Sequence, residues 1–500
     1  MVNIIQQLPN LIAYLNTPKG QIFSGQASWF DPWDINVYVT AITHGQTGHL
    51  LLQNLYTTAP HLSSLFYPLY TFAGYLFPKI NPYLLFHILA ILAGIGLLMT
   101  LWWILKIFIP AIKNRLLGIF IITLGGGFGW LTQNFIDAAD TSITGFTFHS
   151  SFQRAHEGIG MSLYFIALIS FYLFTKVTKN DVKKKYKLWI VSLTALLALT
   201  FFYPYYLISY LAILGVYILI NKNKLNRKKC LLALGTIGAI STMLTFLYFK
   251  HLQSTGFASI TTQNLDAVSL IPLLIGYGLF ILFFAIHLAQ KRKPLPPSHT
   301  MLLLSWIGVS LVMAYLPLGF ARFYLRGLFL PLTILMILII KSLKNTSLIQ
   351  LTIFFSIILF PLSQGYIFSQ RISAIKDNNP WFYYSQDIRD GFEFLKNEPS
   401  GEQPEGGILA TYVLGNHLPI HTHKPVYFGH LIQTPNATEK LVLINQFYKG
   451  EMDENQTKKW LKDNNILWVV VGPNEKKLEK IEGLLELEFE NKTIQIYRVL

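Results

Sequence analysis

The sequence predicts a polytopic α-helical membrane protein of about ten spans with a small C-terminal extracytoplasmic α/β domain. Three observations predict it. The 500 residues are 52% hydrophobic and 13% charged, with a mean hydropathy of +0.42, which is too apolar for an ordinary soluble chain. Apolar runs of spanning length recur from residue 84 to residue 368. Charge is also laid out unevenly. Up to residue 369 there are 25 Lys+Arg against seven acids, and from residue 370 onward 15 Lys+Arg against 18 Asp+Glu.

The apolar runs are 84–108, 117–135, 159–175, 231–249, 269–289, 300–316, 325–341 and 348–368. The stretch 188–220 is apolar throughout but is broken at Tyr203-Pro204-Tyr205-Tyr206 and lies between two basic loops. Bases in short loops mark the cytoplasmic side, so the chain must cross twice between those loops. It therefore reads as two short helices, 188–202 and 205–220, turning at Pro204. On this topology 19 bases lie in cytoplasmic loops, and six lie outside: Lys19, Lys79, Arg154, Lys250, Arg322 and Arg326. The net charge of +15 is then mostly a topology signal. It does not imply nucleic-acid binding, because no basic patch with interleaved aromatics appears.

Residues 1–83 fall on the outer side as an N-terminal segment and first extracytoplasmic loop. Ile4–Leu15 is too short and too polar to span, and without a basic flank it is no signal peptide. Either the chain begins outside or a first helix lies upstream of Met1, and the second is favoured. The single cysteine, Cys230, excludes an internal disulfide and any cysteine-based metal site.

The membrane domain is placed at 84–369. An aromatic interfacial linker follows at 370–384, where Trp381, Phe382, Tyr383 and Tyr384 suit headgroup depth. Residues 385–500 alternate helical and strand periods. Strands are expected at Gly407–Val413, Pro425–Phe428, Ile466–Gly472, Leu485–Glu490 and Thr493–Val499, and helices at 385–397, 435–449, 454–464 and 474–482. The nearly continuous apolar run from Ile466 reads as a central strand. No Gly-rich phosphate loop opens a helix there.

Candidate chemistry concentrates on the outer side. Trp29-Phe30-Asp31-Pro32-Trp33-Asp34-Ile35-Asn36-Val37-Tyr38 mixes aromatics and carboxylates. A carboxylate there can serve as general base for a hydroxyl acceptor. The plainer reading is that Asp34 caps a helix beginning near Ile35. Asp31, three residues earlier, could share a divalent metal with Asp34, although Asp-x-x-Asp is a weak metal signal, and no cofactor is expected. Arg154, His156 and Glu157 precede the span at 159 and either orient a substrate or end a solvated loop. His417, His421, His423 and His430 cluster in the tail, as zinc ligands or, for Gly429-His430, as a loop facing a cleft.

Asp34 followed by Tyr38 near the start of the first outer loop, with many spans behind, resembles the GT-C superfamily of membrane glycosyltransferases. Protein O-mannosyltransferases and lipid A aminoarabinose transferases show Asp-Glu-x-Arg-Tyr at this place. Here Asp34 and Tyr38 match while Ile35 and Val37 depart. Phe23-Ser24-Gly25, Gly127-Phe128-Gly129-Trp130, Arg322–Gly327 and Gly429-His430 also look similar to bacterial GT-C-like membrane proteins. The resemblance implies an inverting transferase in the cytoplasmic membrane. It would move a hexose or pentose from a polyprenyl-phosphate donor to an outer glycan, lipid or protein.

Asp34 would then be the base, Asp31 its support and Tyr38 part of the substrate site. Arg322 and Arg326, four apart, would clamp the departing phosphate if a helix begins there; otherwise they snorkel at the interface. Arg154, His156, Glu157 and His430 would complete the substrate and phosphate contacts. A leaving phosphate needs little protonation, so one carboxylate suffices where a glycosidase needs two. Oligosaccharyltransferases carry a Trp-Trp-Asp-type motif in their outer domain. The nearest match, Trp381-Phe382-Tyr383, lacks the acid, so transfer of a whole glycan to asparagine is not expected. A transporter or flippase for a lipid-linked solute is the alternative. Against it, no ionisable group sits convincingly within a span. A non-catalytic GT-C-like assembly protein is the other.

Overall fold

A computed structural model describes residues 2–178, 181–221, 226–288, 290, 295–398, 406–473, 475 and 483–500. All ten apolar runs form helices, but their lengths differ. Six helices among the described residues are long and apolar enough to cross a membrane: Pro82–Phe108, Ile112–Thr132, Ala155–Lys176, Arg227–Gln253, Ala321–Ser342 and Thr346–Lys376. A seventh is Leu270–Gly276 with Gly278–Leu288, bent by 70° at the break. The bend has a steric cause. Side chains at Gly276 and Gly278 would run into the rings of Phe146 and Phe128, and glycine lets those rings pack against the backbone. Tyr206–Ile220 and Pro297–Met313 are shorter apolar helices. The turn expected at Pro204 separates Val182–Leu199 from Tyr206–Ile220. Val2–Leu15 is helical and shorter than a span.

The chain divides into two compact units. The first comprises Met1–Leu8, His87–Tyr248 and Asn264–Gln370. Its core is a continuous apolar cluster into which tyrosines carry their hydroxyls in pairs: Tyr164 with Ser209 at 2.9 Å and Tyr210 with Ser192 at 2.7 Å. In an apolar interior each hydroxyl must find such a partner or lose the hydrogen bond it had in water.

The second unit comprises Pro9–Phe86, Phe249–Gln263 and Arg371–Leu500. Strand β1 (Gln21–Phe23) pairs antiparallel with β2 (Tyr383–Ser385). That pairing turns the aromatics of the expected interfacial stretch inward. Phe382 and Tyr383 are buried, and the Tyr383 hydroxyl donates to the Ala13 carbonyl at 3.0 Å. Four further strands form one sheet in the order β3 (Gly407–Leu409), β4 (Ile466–Val471), β6 (Gln495–Val499), β5 (Leu485–Glu490). The apolar run from Ile466 is the interior strand β4, parallel to β3 and antiparallel to β6. The helices Gln386–Asn397 and Glu454–Asp463 begin where Ser385 and Asp453 cap them.

Two expectations change. The apolar run at 407–413 is a strand only to Leu409, and Tyr412–Thr422 is a helix beginning after Thr411. A short apolar run does not distinguish strand from buried helix. Pro425–Phe428 makes a single bridge, Val426 to Ile408, because proline breaks a longer ladder. The helix expected at 474–482 lies outside the described residues.

The helix Pro32–Gln46 crosses Pro68–Leu76 through two glycines. A methyl at Gly45 would collide with the Thr71 carbonyl, and one at Gly74 with the Ile42 carbonyl. In the tail, burial drives His417 down to about 3 and His421 down to about 4, with a neighbouring histidine adding to each shift. Both are neutral in the fold and protonate more readily in the unfolded chain.

Two outcomes are expected in detergent. Gly45→Ala should lower stability by about 1–3 kcal/mol, read as a lower thermal unfolding midpoint, because two backbones rather than flexible side chains must part. Acidification should also destabilise the fold. Both folded-state values are depressed, so the stability is complete above about 6.5 and is lost as pH falls toward about 3. The midpoint should drop between pH 7 and 5, and less so in a His417→Gln, His421→Gln double variant.

Candidate functional site

The helix that carries the candidate base starts earlier than its sequence suggests. Pro32 occupies the first helical turn, and Asp31 takes the N-cap position in a left-handed conformation (φ 44°) with its carbonyl accepting the Asp34 N–H at 3.0 Å. The Asp34 side chain is therefore in the first turn and is not the cap. A carboxylate there is favoured by the helix N-terminus.

Asp34 Oδ1 accepts a hydrogen bond from His430 Nε2 at 2.9 Å. His430 Nδ1 in turn accepts from the backbone N–H of Ile432 at 3.2 Å and of Gln433 at 3.1 Å. Two donors on Nδ1 place the ring proton on Nε2, facing the carboxylate. The imidazole is 3% exposed and the Asp34 side chain 20%, so the pair has a buried end and an open end.

The loop that carries His430 is pinned on every side. Gly415 and Gly429 pack backbone to backbone, where a side chain on either would collide with the other strand of chain. Thr434 Oγ1 accepts from the N–H groups of Gly429 and His430 and donates to the Tyr56 carbonyl at 2.9 Å. Asn54 Nδ2 donates to the carbonyls of Gln433 at 2.8 Å and Gly256 at 2.6 Å.

A second network fixes the helix itself. Asn36 is fully buried. Its Nδ2 donates to Asn416 Oδ1 at 2.8 Å, and its Oδ1 accepts from the Tyr83 hydroxyl at 2.9 Å. Asn416 Nδ2 donates to the carbonyls of Gly429 at 2.8 Å and Trp33 at 3.3 Å. Tyr56, paired with Thr40 at 3.0 Å, completes the frame. Trp33, Trp381 and Tyr412 form an aromatic wall with ring centroids 5.3–6.3 Å apart. Burial raises the Tyr412 hydroxyl, and the negative charges of Asp34 and Asp31 raise it further.

Tyr38 lies inside a stack with Tyr67, Tyr70 and Phe86, with centroids 5.1–6.3 Å apart, and is buried. Its position supports the helix. Asp31 is partly exposed beside Asp34. No group of three His, Cys, Asp or Glu among the described residues could hold a metal ion. His430 also presents a donor, not a lone pair, to Asp34. These residues do not make a metal's donor set.

Arg154, His156, Glu157 and Arg326 belong to the first unit, where they are all buried. Glu157 faces Arg154 at 3.5 Å and Arg326 at 3.6 Å, and accepts from Ser150 Oγ at 2.6 Å. The Arg326 guanidinium lies over the rings of Phe323 at 4.6 Å and Tyr203 at 5.1 Å. Its Nε and Nη1 find no acceptor among the described residues. The His156 ring lies 5.9 Å from Tyr203.

Arg322 and Arg326 part company. The segment Ala321–Leu325 is a 3-10 helix and the backbone is extended at Arg326, so the four-residue spacing of an α-helical face is lost. Arg322 instead lines an open cleft of about 330 Å³ with Asp137, Asp266, Asn264 and Ser269. Asp140 holds the Gly127–Trp130 turn, with Oδ2 accepting from Gly127 N–H at 2.6 Å and Ser363 Oγ at 2.6 Å.

Sequence reasoning picked out Asp34 and His430 but not their pairing, and it missed Asn36, Asn54, Tyr56, Tyr83 and Asn416. The one local signal was an asparagine between apolar neighbours, Ile35 and Val37, a position that demands a partner when buried.

No family model matches the chain, and no curated protein does. Solved structures do. The oligosaccharyltransferase AglB of Archaeoglobus fulgidus, in complex with an inhibitory peptide and a dolichol-phosphate, matches at TM-score 0.55 and 12% identity. That match covers 94% of this chain and 69% of that one. The same protein in complex with zinc and sulfate matches at 0.54 and 12%, over 94% and 68%. ArnT from Cupriavidus metallidurans in the apo state matches at 0.51 and 10%, over 99% and 97%. At this identity the likeness is one of fold, and the fold of this chain is the GT-C fold.

Proposed function

We propose that this protein is an inverting membrane glycosyltransferase that moves a sugar from a polyprenyl-phosphate carrier to an extracytoplasmic hydroxyl acceptor. The observation that carries the reading is Asp34, set in the first turn of its helix with one oxygen held by a buried imidazole, in a chain with the GT-C fold. A structural neighbour in complex with dolichol-phosphate supports the carrier class.

In this reading Asp34 Oδ2 takes the proton of the acceptor hydroxyl as its oxygen attacks the sugar's anomeric carbon. The bond from that carbon to the phosphate oxygen breaks, and the phosphate leaves with the electron pair. Attack opposite the leaving group inverts the anomeric centre. A phosphate monoester is a good leaving group without an acid, which fits a site with a single engaged carboxylate. Asp31 adds negative field beside the base. Tyr38 stiffens the helix behind it.

Within the first unit, the Arg154–Glu157–Arg326 group is the one suited to an anion. Two guanidiniums against one carboxylate leave a net positive charge, and Arg326 Nε and Nη1 find no acceptor among the described residues. Arginine's planar fork suits a phosphate oxygen pair. His156 adjoins this group in sequence. Arg322, facing Asp137 and Asp266, is less suited to an anion. The basic-loop count supports the cytoplasmic membrane, with the tail and Asp34 on the extracytoplasmic side.

The test is turnover of radiolabelled C55 polyprenyl-phosphate sugars by the purified chain. Asp34→Asn should cost about 10²–10⁴-fold in turnover with donor binding retained. Arg326→Lys keeps the charge but loses the fork, and should weaken donor binding about tenfold while leaving the acid side of the pH profile in place. A wild-type chain that neither binds nor turns over any donor would overturn the reading.

A further inference from the structure

We infer that His430 is a positioning residue for Asp34: a fixed hydrogen-bond donor to one oxygen of its carboxylate. The inference rests on the reading of Asp34 as base. It is carried by the geometry of the ring's two nitrogens. Nε2 meets Asp34 Oδ1 at 2.9 Å, and Nδ1 meets the N–H groups of Ile432 and Gln433 at 3.2 and 3.1 Å. Both ends of the imidazole are committed in opposite senses.

This arrangement rules out a relay. A histidine that passes a proton must accept at one nitrogen while releasing from the other. Here the Nδ1 lone pair points at two donors and has no acceptor for a proton. The Nε2 position already carries one. The proton abstracted from the acceptor therefore stays on Asp34 and does not pass through the ring.

The role of the ring is orientation and charge. A partly exposed carboxylate rotates about its side-chain bonds, and each misaligned rotamer points the base away from the hydroxyl. The buried imidazole selects one rotamer. It also offsets the negative charge of Asp31, three residues before Asp34. A donor on the charged form of a carboxylate favours that form.

The loop is built for this purpose. Gly429 allows the backbone approach, Thr434 ties the N–H groups of Gly429 and His430, and Asn54 holds the carbonyl of Gln433, the residue whose own N–H serves Nδ1.

The test compares Asp34→Asn, His430→Asn and His430→Gln in the full-length chain, with thermal midpoints as a check on folding and C55 polyprenyl-phosphate hexoses as donors. Asparagine reaches the loop amides but not Asp34, whereas glutamine places an N–H donor near the Nε2 position. His430→Asn should lose about 10–100-fold in kcat with KM little changed, the range of a hydrogen bond to a charged group. Its acid limb should move up by about one pH unit, since removing a donor from a carboxylate raises its pKa. His430→Gln should restore most of the rate and return the limb. An acid limb unmoved in His430→Asn, with Asp34→Asn inactive, overturns the inference and leaves the base reading standing. An active Asp34→Asn overturns both. Histidine-labelled ¹⁵N spectra of the wild type decide independently of any variant: a proton on Nε2 of His430 supports the inference, and one on Nδ1 overturns it.

Discussion

The buried carboxamide of Asn36 is the constraint on which the geometry around Asp34 depends. A carboxamide removed from water without partners costs several kcal/mol, so the fold must supply both a donor and an acceptor where it lies. Tyr83 supplies the donor and Asn416 the acceptor. Asn416 then spends its own amide on the carbonyls of Trp33 and Gly429. One polar side chain thereby fixes the helix that bears Asp34, the tail helix beside it and the loop that bears the imidazole. Two residues along a helix turn the side chain by about 200°, so when Asn36 points inward Asp34 must point away. The orientation of the candidate base follows from the burial of its neighbour.

Charge in the first unit obeys a harsher version of the same rule. Bases such as Lys106, Lys113, Lys183 and Arg227 sit near helix ends. Arg154, Glu157 and Arg326 are buried, and a buried ion is tolerated only when paired and hydrogen-bonded. Glu157 meets two guanidiniums and Ser150, while two N–H groups of Arg326 find no acceptor among the described residues. Stability alone would favour removing such donors or pairing them. Their retention fits a group that completes its hydrogen bonds with an anion. Asp140 makes the contrast. It spends one oxygen on the Gly127 amide and Ser363, holding a turn, and burial pushes its carboxyl upward.

What the sequence made legible was whatever depends on local composition. Apolar runs became helices, the break at Pro204 separated two helices, and the run from Ile466 became an interior strand. What it hid depends on distance along the chain or on a choice between equivalent local states. Residues 407–413 were apolar enough for either strand or helix, and the register of β3 against β4 decided in favour of a strand ending at Leu409. The helix start at Pro32 was obscured because Asp31 and Asp34 are equally good caps in isolation. Arg322 and Arg326 looked like one face only under an α-helical period, and a 3-10 turn separated them. The Asp34–His430 pair spans 396 positions, a separation at which no periodicity or spacing carries information.

That long separation bears on how the tail is understood. A soluble domain after the last span reads in sequence as an appended module, able to be removed without touching the chemistry. The contacts around Asp34 argue otherwise. Tail residues Asn416, His430 and Gln433 supply the acceptor for Asn36, the donor for Asp34 and the carbonyl for Asn54. The segment from Pro9 to Phe86 and the tail from Arg371 bury a common polar network and belong to one compact unit. Without the tail, Asn36 would lose its acceptor and the helix its reason to hold that rotation, so Asp34 would lose orientation and partner together. A carboxylate fixed by residues nearly four hundred positions away is committed only once the whole chain has folded. The carboxylate alone is thus a minimal signature of the site, because the tail supplies the geometry that would make it a base.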